Sequence, residues 1–246
     1  MDNVRREYRK MMQARGFAAF TCKIKETDLA VQVDEVSFSP QLPAFVEKRV
    51  LALRLALEEY IAADPEFRTT LKPHLAAPGA PPIALDMIKA GNMAGVGPMA
   101  AVAGAFAEYV GRELLAKVEQ VIVENGGDLF LSVREKTKIA VYAGSSPLSN
   151  RLALELEPQP GGFGVCTSSG TVGPSFSFGR ADAAVIISPS AILADAVATA
   201  TANRIQTAKD LRPALEFARA IPGVDGVLVI KDDKLAAWGR LKIVSL

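Results

Sequence analysis

Two short runs, Phe17 to Lys25 and Leu29 to Asp34, alternate apolar and polar residues in part, with the polar Glu26-Thr27-Asp28 between them. A period of two puts one set of side chains on a buried face, so the pair is expected as a hairpin closed off by Phe38-Ser39-Pro40. From Pro43 the period lengthens. Phe45, Val46, Val50, Leu53, Leu57 and Tyr60 recur at helical spacing until Asp64-Pro65, with Glu47, Lys48, Arg49, Arg54, Glu58 and Glu59 largely opposite. That pattern predicts an amphipathic surface helix.

Leu75 to Pro82 (LAAPGAPP) is the clearest linker-like stretch. It suggests one domain over residues 1–246, with an N-terminal subdomain 1–75 and a main body 83–246. A helix of small residues is expected from Pro98, where proline suits the first turn. Gln120 to Glu124 and Leu129 to Val133 flank Asn125-Gly126-Gly127-Asp128, a strong hairpin signal because Asn and Gly readily take positive φ. Further strands are expected at Lys138 to Tyr142, Leu152 to Leu156, Phe163 to Thr167 and Ala183 to Ile187. Helices at Ala191 to Arg204 and Lys209 to Ala220 follow, then a terminal strand pair or meander from Val227 to Val244. Strands in succession without intervening helices favour an antiparallel sheet, and hence an α+β fold.

Composition narrows the partners. The chain has 246 residues, 50% of them apolar, enough to bury a sizeable core. The most apolar region, Met93 to Val110, is interrupted by Gly95, Gly97, Pro98 and Gly104, so a buried helix is expected there rather than a membrane span. A formal net charge of +1 and the absence of any Lys/Arg run offer nucleic acid or an anionic membrane no attracting field. Cys22 and Cys166 form no CxxC pair and no disulfide framework, and MDNVRREYRK has no apolar signal-peptide core. The expected setting is cytoplasmic. Alanine-rich helices and exposed strand edges make a homo-oligomer plausible.

Asp195 and Thr199 lie four apart on an expected helix and so share a face. Two oxygen donors suit a hard cation such as Mg²⁺ completed by water, a carbonyl or substrate phosphate. The same pair is also readable as a solvent-facing Asp and a Thr bonded to its own backbone. Cys166 to Gly173 (CTSSGTVG) follows an apolar strand and could present amides and hydroxyls, among them Thr167, Ser168, Ser169 and Gly170, to a phosphate or ribose. It matches neither a Walker loop nor a dinucleotide fingerprint, and a structural turn is the other reading. Gly91 to Met99, with Gly95 and Gly97, could line an anion site at a helix N-terminus or serve close packing. Asp128 is first a turn residue that could reach a ligand if the loops converge. Nothing specific pairs Cys166 with the sole histidine, His74. Cys22 reads as a small core residue and Trp238 as a core or interface anchor.

These segments resemble those of the ApbE family, the Mg²⁺-dependent FAD:protein FMN transferases. Asp195-Ala196-Val197-Ala198-Thr199-Ala200 resembles the family's D-A-[LV]-[AS]-T-A segment, and Thr167-Ser168-Ser169-Gly170 its T-S-G turn. Asn125 to Asp128 resembles its N-x-G-G-[DN] hairpin, and Met93 to Met99 falls where it has G-[AI]-A-K-G. The order is also the family's, and the whole chain is most similar to the ApbE-like branch known as the UPF0280 family. The resemblance implies an ApbE/T-fold-like antiparallel sheet with packed helices. It also implies a divalent metal, Mg²⁺, at Asp195 and Thr199, and FAD or another nucleotide near Ser168 to Gly170, with backbone around Ala94 to Gly97 approaching the same site.

Two departures bear on activity. The family lysine is absent where this chain reads Gly95-Val96-Gly97-Pro98, and Gln159 to Gly164 replaces a histidine-containing H-x-x-[DN]-P-x-[TS]-G stretch. The expectation is an ApbE-like protein that binds a flavin or other small phosphate-bearing ligand with a divalent metal. A Mg²⁺-dependent FMN transferase or FAD-cleaving enzyme, and a non-catalytic cofactor-binding or interaction protein, are the alternatives.

Overall fold

A computed structural model describes Arg9, residues 14–170 and residues 179–246. Eight strands form one sheet: β1 (Phe17–Ile24), β2 (Thr27–Asp34), β3 (Val121–Asn125), β4 (Asp128–Ser132), β7 (Phe163–Ser168), β8 (Ala183–Ser188), β9 (Gly226–Lys231) and β10 (Lys234–Gly239), in that spatial order. Every pairing is antiparallel. A second antiparallel sheet has the order β11 (Lys242–Ser245), β6 (Leu152–Leu156), β5 (Thr137–Ala140). The α+β class and antiparallel sheet expected from the sequence are what the chain forms.

Alternation along the central strands sorts the molecule into three layers. Phe130, Cys166, Ala184, Ile186, Val227 and Val229 face the helices, while Leu129, Leu131, Val165, Val185, Leu228 and Ile230 face the small sheet through Leu154, Leu156 and Val141. A strand buried on both faces reads as a continuous apolar run, which is why β8 is AAVIIS. The helical layer holds α1 (Leu42–Ala63), α3 (Pro82–Ala94), α4 (Val102–Leu114), α5 (Ala191–Ala202) and α6 (Leu211–Arg219), with the single turn α2 (Glu66–Thr69) after α1. Of the residues expected inside α1, Val46, Val50, Leu53, Leu57 and Tyr60 are buried, and Phe45 is partly so.

Several local expectations change. Thr27 and Asp28 belong to β2, because the first hairpin turns on Lys25 and Glu26 alone, with Lys25 at φ 52°. Residues 82–92, which fall in no expected element, form α3 together with Met93 and Ala94, so Gly91 to Ala94 is the end of a helix rather than an approach to one. A 3₁₀ turn at Pro98–Ala101 precedes α4. The terminal strands are no simple meander, since β10 edges the large sheet and β11 crosses to the small one. Trp238 is not a core residue: it is 37% exposed on β10 with Arg219 over its ring. Strands β2 and β3, from either side of the Leu75 to Pro82 stretch, pair directly, and His74 just ahead of it is tied to α1 by a 2.7 Å contact from Nε2 to Asp64.

Candidate functional site

The site is built where β4, β7 and α5 meet. Gly126 and Gly127, at φ 68° and 105°, close a two-residue turn that leaves Asn125 and Asp128 paired across the hairpin. Left-handed φ at both positions is the geometry that excludes most side chains. Asn125 Nδ2 donates to the Ala103 carbonyl at 3.2 Å, anchoring the hairpin to the start of α4. Asp128 reaches across to the neighbouring strand β7, where its Oδ1 accepts the Thr167 N–H at 3.2 Å. The Cys166 thiol stands 3.3 Å from the Ala191 carbonyl and within hydrogen-bond reach of the Asp128 carboxylate.

Asp195 comes from the opposite side, on α5, and its Oδ2 accepts the Gly104 N–H at 2.8 Å. A side chain at Gly104 would collide with the Ala191 carbonyl and approach Asp195 Cβ to 2.8 Å, so only glycine lets α4 lie this close to α5. Burial pushes the Asp195 carboxyl up to about 7, against the pull of the Gly104 and Ala103 amides. Burial, and then the charge of Asp195, hold Asp128 well above the carboxylate range. The Cys166 thiol is raised well above its usual value by burial and by both carboxylates, and is therefore a neutral thiol. Among the described residues, no Lys, Arg or His is bonded to Asp128 or Asp195.

The other acid of the hairpin is treated differently. Glu124, also buried, accepts the Gly127 N–H at 2.9 Å and is ion-paired with Arg9 at 2.6 Å, while Arg9 also reaches Asp28 at 2.7 Å. A charged pair neutralises Glu124, and none neutralises Asp128 or Asp195. That contrast marks the pair as the chemically unusual feature of this region.

Thr167 continues β7 from Cys166, and Ser168 ends the strand opposite Ala184. Ser169 Oγ and the Gly170 N–H both donate to the Ala181 carbonyl, at 3.2 and 2.9 Å, which turns the chain away from the sheet. Thr171, Val172 and Gly173 lie outside the described residues. Thr199 is half-buried one turn beyond Asp195 on α5. Gly95 caps α3 in the left-handed conformation, and Gly97 sits against the Thr70 carbonyl with no room for a side chain. Thus Asp128, Thr167 and Asp195 are brought together, whereas Gly95 and Gly97 serve a helix end and a close packing contact. His74 is bonded to Asp64, which leaves no Cys-His pair. Among the described residues no group of three or more His, Cys, Asp or Glu is arranged to hold a metal ion. Two surface hollows, of about 510 Å³ beside Asp64 and His74 and about 270 Å³ beside Glu108 and Ser190, are not lined by Asp128, Thr167 or Asp195.

The pairing of Asp128 with Asp195 and Cys166 was not legible in spacing. Only the order of the segments hinted at it, and Arg9 carried no sequence signal.

A helix-backed antiparallel sheet with these loops at one place is an ApbE-like architecture. The solved flavin transferase ApbE from Vibrio cholerae superimposes with a TM-score of 0.57 at 13% identity, over 91% of this chain and 96% of that one. The apo Pseudomonas stutzeri flavinyl transferase ApbE gives a TM-score of 0.54 at 16% identity, over 91% and 94%. A family model described as "AbpE bacteria" matches residues 9–232. A UPF0280 protein of Methanosarcina acetivorans is 40% identical over 228 residues, 91% of this chain and 87% of its own length. One of Methanocella arvoryzae is 43% identical over 224 residues, 90% and 89% respectively. The chain belongs to the UPF0280 family.

Proposed function

We propose that this protein binds a flavin or another small phosphate-bearing ligand, with a divalent cation, where β4, β7 and α5 converge. The observation that carries the reading is the buried pair Asp128 and Asp195, raised by burial and uncompensated by any basic side chain among the described residues. Two desolvated carboxylates repel one another, and a cation between or beside them would remove the cost of ionising both. Two carboxylates with Thr199, water and ligand phosphate fit a Mg²⁺ shell, which needs few protein donors.

Asp195 and Thr199 would hold the cation on α5, with Asp128 as the second carboxylate. Such a cation supplies charge neutralisation of phosphate oxygens. Thr167 and Ser168 at the end of β7, and Ser169 and Gly170 just after it, would approach the phosphate or ribose with hydroxyls and backbone. The solved ApbE proteins of this fold are named as flavin transferases, which supports flavin as the first ligand to try. Gly95-Val96-Gly97 stands in place of the family's lysine-bearing segment, which supports binding ahead of phosphoryl transfer.

Calorimetric titration with FAD, with and without Mg²⁺, tests the reading, using Asp195→Ala as control. Micromolar binding that needs Mg²⁺ and disappears in the variant is expected. Absence of binding under both conditions contradicts the flavin reading, and binding that survives the substitution contradicts the assignment of the site.

A further inference from the structure

Helices α4 and α5 each lack part of what an N-terminus needs, and each takes it from the other. The first turn of an α-helix leaves backbone N–H groups without intrahelical partners. No side chain of its own caps α4, yet Asp195 from α5 accepts the Gly104 N–H in that first turn at 2.8 Å. In return Glu108, one turn along α4, sends its carboxylate to the start of α5. Its Oε2 accepts the Ile192 N–H at 3.1 Å and the Ser190 hydroxyl at 2.9 Å, while Ser190 Oγ accepts the Leu193 N–H at 3.3 Å. Arg112, a further turn along, holds Glu108 Oε1 at 2.7 Å and donates to the Pro189 carbonyl at 3.2 Å.

Gly104, Glu108 and Arg112 are spaced by four and form one stripe on α4. That stripe meets the first turns of α5 at successive levels: Pro189, then Ser190 and Ile192, then Asp195. The absent side chain at Gly104 lets the two backbones approach closely enough for both carboxylates to reach. The geometry points to Glu108 as a positioning residue for Asp195. By fixing the start of α5 on α4, Glu108 sets the rotation and axial register that deliver the Asp195 carboxylate to the Gly104 amide and to Asp128. In this role Glu108 acts through α5 and not by contact with the ligand. The inference deepens the proposed site and rests on that reading for its functional meaning, but the reciprocal capping is measurable without any ligand.

The Gly104 amide is the reporter, because its hydrogen bond is made to Asp195. Amide resonances and hydrogen exchange are recorded on the full chain, without flavin or metal, for the wild type, Glu108→Ala and Glu108→Gln. Glu108→Ala is expected to shift the Gly104 resonance and lower its protection by about tenfold, the loss of one hydrogen bond to Asp195, while the Gly111 amide on the same helix changes little. Glu108→Gln keeps an acceptor for Ser190 and Ile192 and is expected to restore most of the Gly104 protection. An unchanged Gly104 in Glu108→Ala overturns the inference. So does an equal loss along all of α4 that Gln fails to repair, since that marks a purely structural role. Should Glu108→Ala fail to fold, Glu108→Asp, one methylene short, is read against the same two outcomes at Gly104. Flavin binding by the wild type is scored separately, so failure of the ligand reading and failure of the positioning role are told apart.

Discussion

Replacing Asp195 with asparagine removes the ionisation that burial resists and keeps the side chain's shape. A carboxyl raised from its ordinary 3.8 to about 7 binds its proton more tightly in the folded chain. The sign follows from proton linkage: between those two values the native state holds more protons than the unfolded state, so stability falls as pH rises. The contribution is fully present below about pH 4 and is gone above about pH 7. Each unit corresponds to about 1.4 kcal/mol, so between pH 5 and pH 8 the wild type loses about 3 kcal/mol from this group. The amide of Asp195→Asn does not titrate and escapes that loss. Exchanging the neutral carboxyl for an amide beside the Gly104 N–H costs about 1 kcal/mol at low pH, where neither side chain is charged. Urea unfolding in EDTA at pH 5 and pH 8 should therefore show Asp195→Asn equal to or slightly more stable than the wild type at the lower pH. At pH 8 the variant should be more stable by about 3 kcal/mol. A stability difference that is the same at both values would refute the account of a buried carboxyl whose ionisation the fold resists.

Gly104→Ala should cost about 3 kcal/mol by forcing α4 off α5, read as a lowered urea midpoint with unchanged slope. Cys166 should stay unreacted with a thiol reagent in the folded protein at pH 8 and react on unfolding, because burial and two carboxylates suppress its thiolate. Burial pushes the Asp34 carboxyl up, but bonds from Ser37, Gln120 and Glu119 carry it below its ordinary value overall. Asp34→Ala should therefore destabilise by about 2 kcal/mol at pH 7, and the difference should shrink as pH falls through the folded Asp34 value, measured by unfolding at pH 7 and pH 3.

Elements with a clean period were legible. The α1 stripe ending at Tyr60 and the Asn125 to Asp128 hairpin come from local rules, and the structure forms both. Helix α3 was hidden because prolines precede it and Gly91 and Gly95 punctuate its end, although Ile83, Ala84, Met87 and Ile88 are buried at helical spacing. The core alternative for Trp238 fails because an aromatic residue in a strand says nothing about whether that strand is central or at an edge. The candidate site shows the same limit. Asp195 and Thr199 share a helix, so their relation is written in spacing. Asp195 meets Asp128 only because β7 pairs with β4 on one side and carries α5 across its face on the other. Likewise, Glu108 looks like one more charge on an alanine-rich helix until α5 is laid beside it. Contacts of this kind depend on sheet order, which residue periodicity does not encode.

The central claim, a cation and a phosphate-bearing ligand held by Asp128 and Asp195, is tested most directly by a crystal structure grown with Mn²⁺ and FAD. The account predicts an anomalous manganese peak within coordination distance of the Asp195 carboxylate, with the FAD pyrophosphate beside it and residues 167–170 against the ligand. A well-ordered FAD elsewhere on the molecule, or crystals in which Asp128 and Asp195 remain packed together with no manganese despite saturating metal, would contradict it.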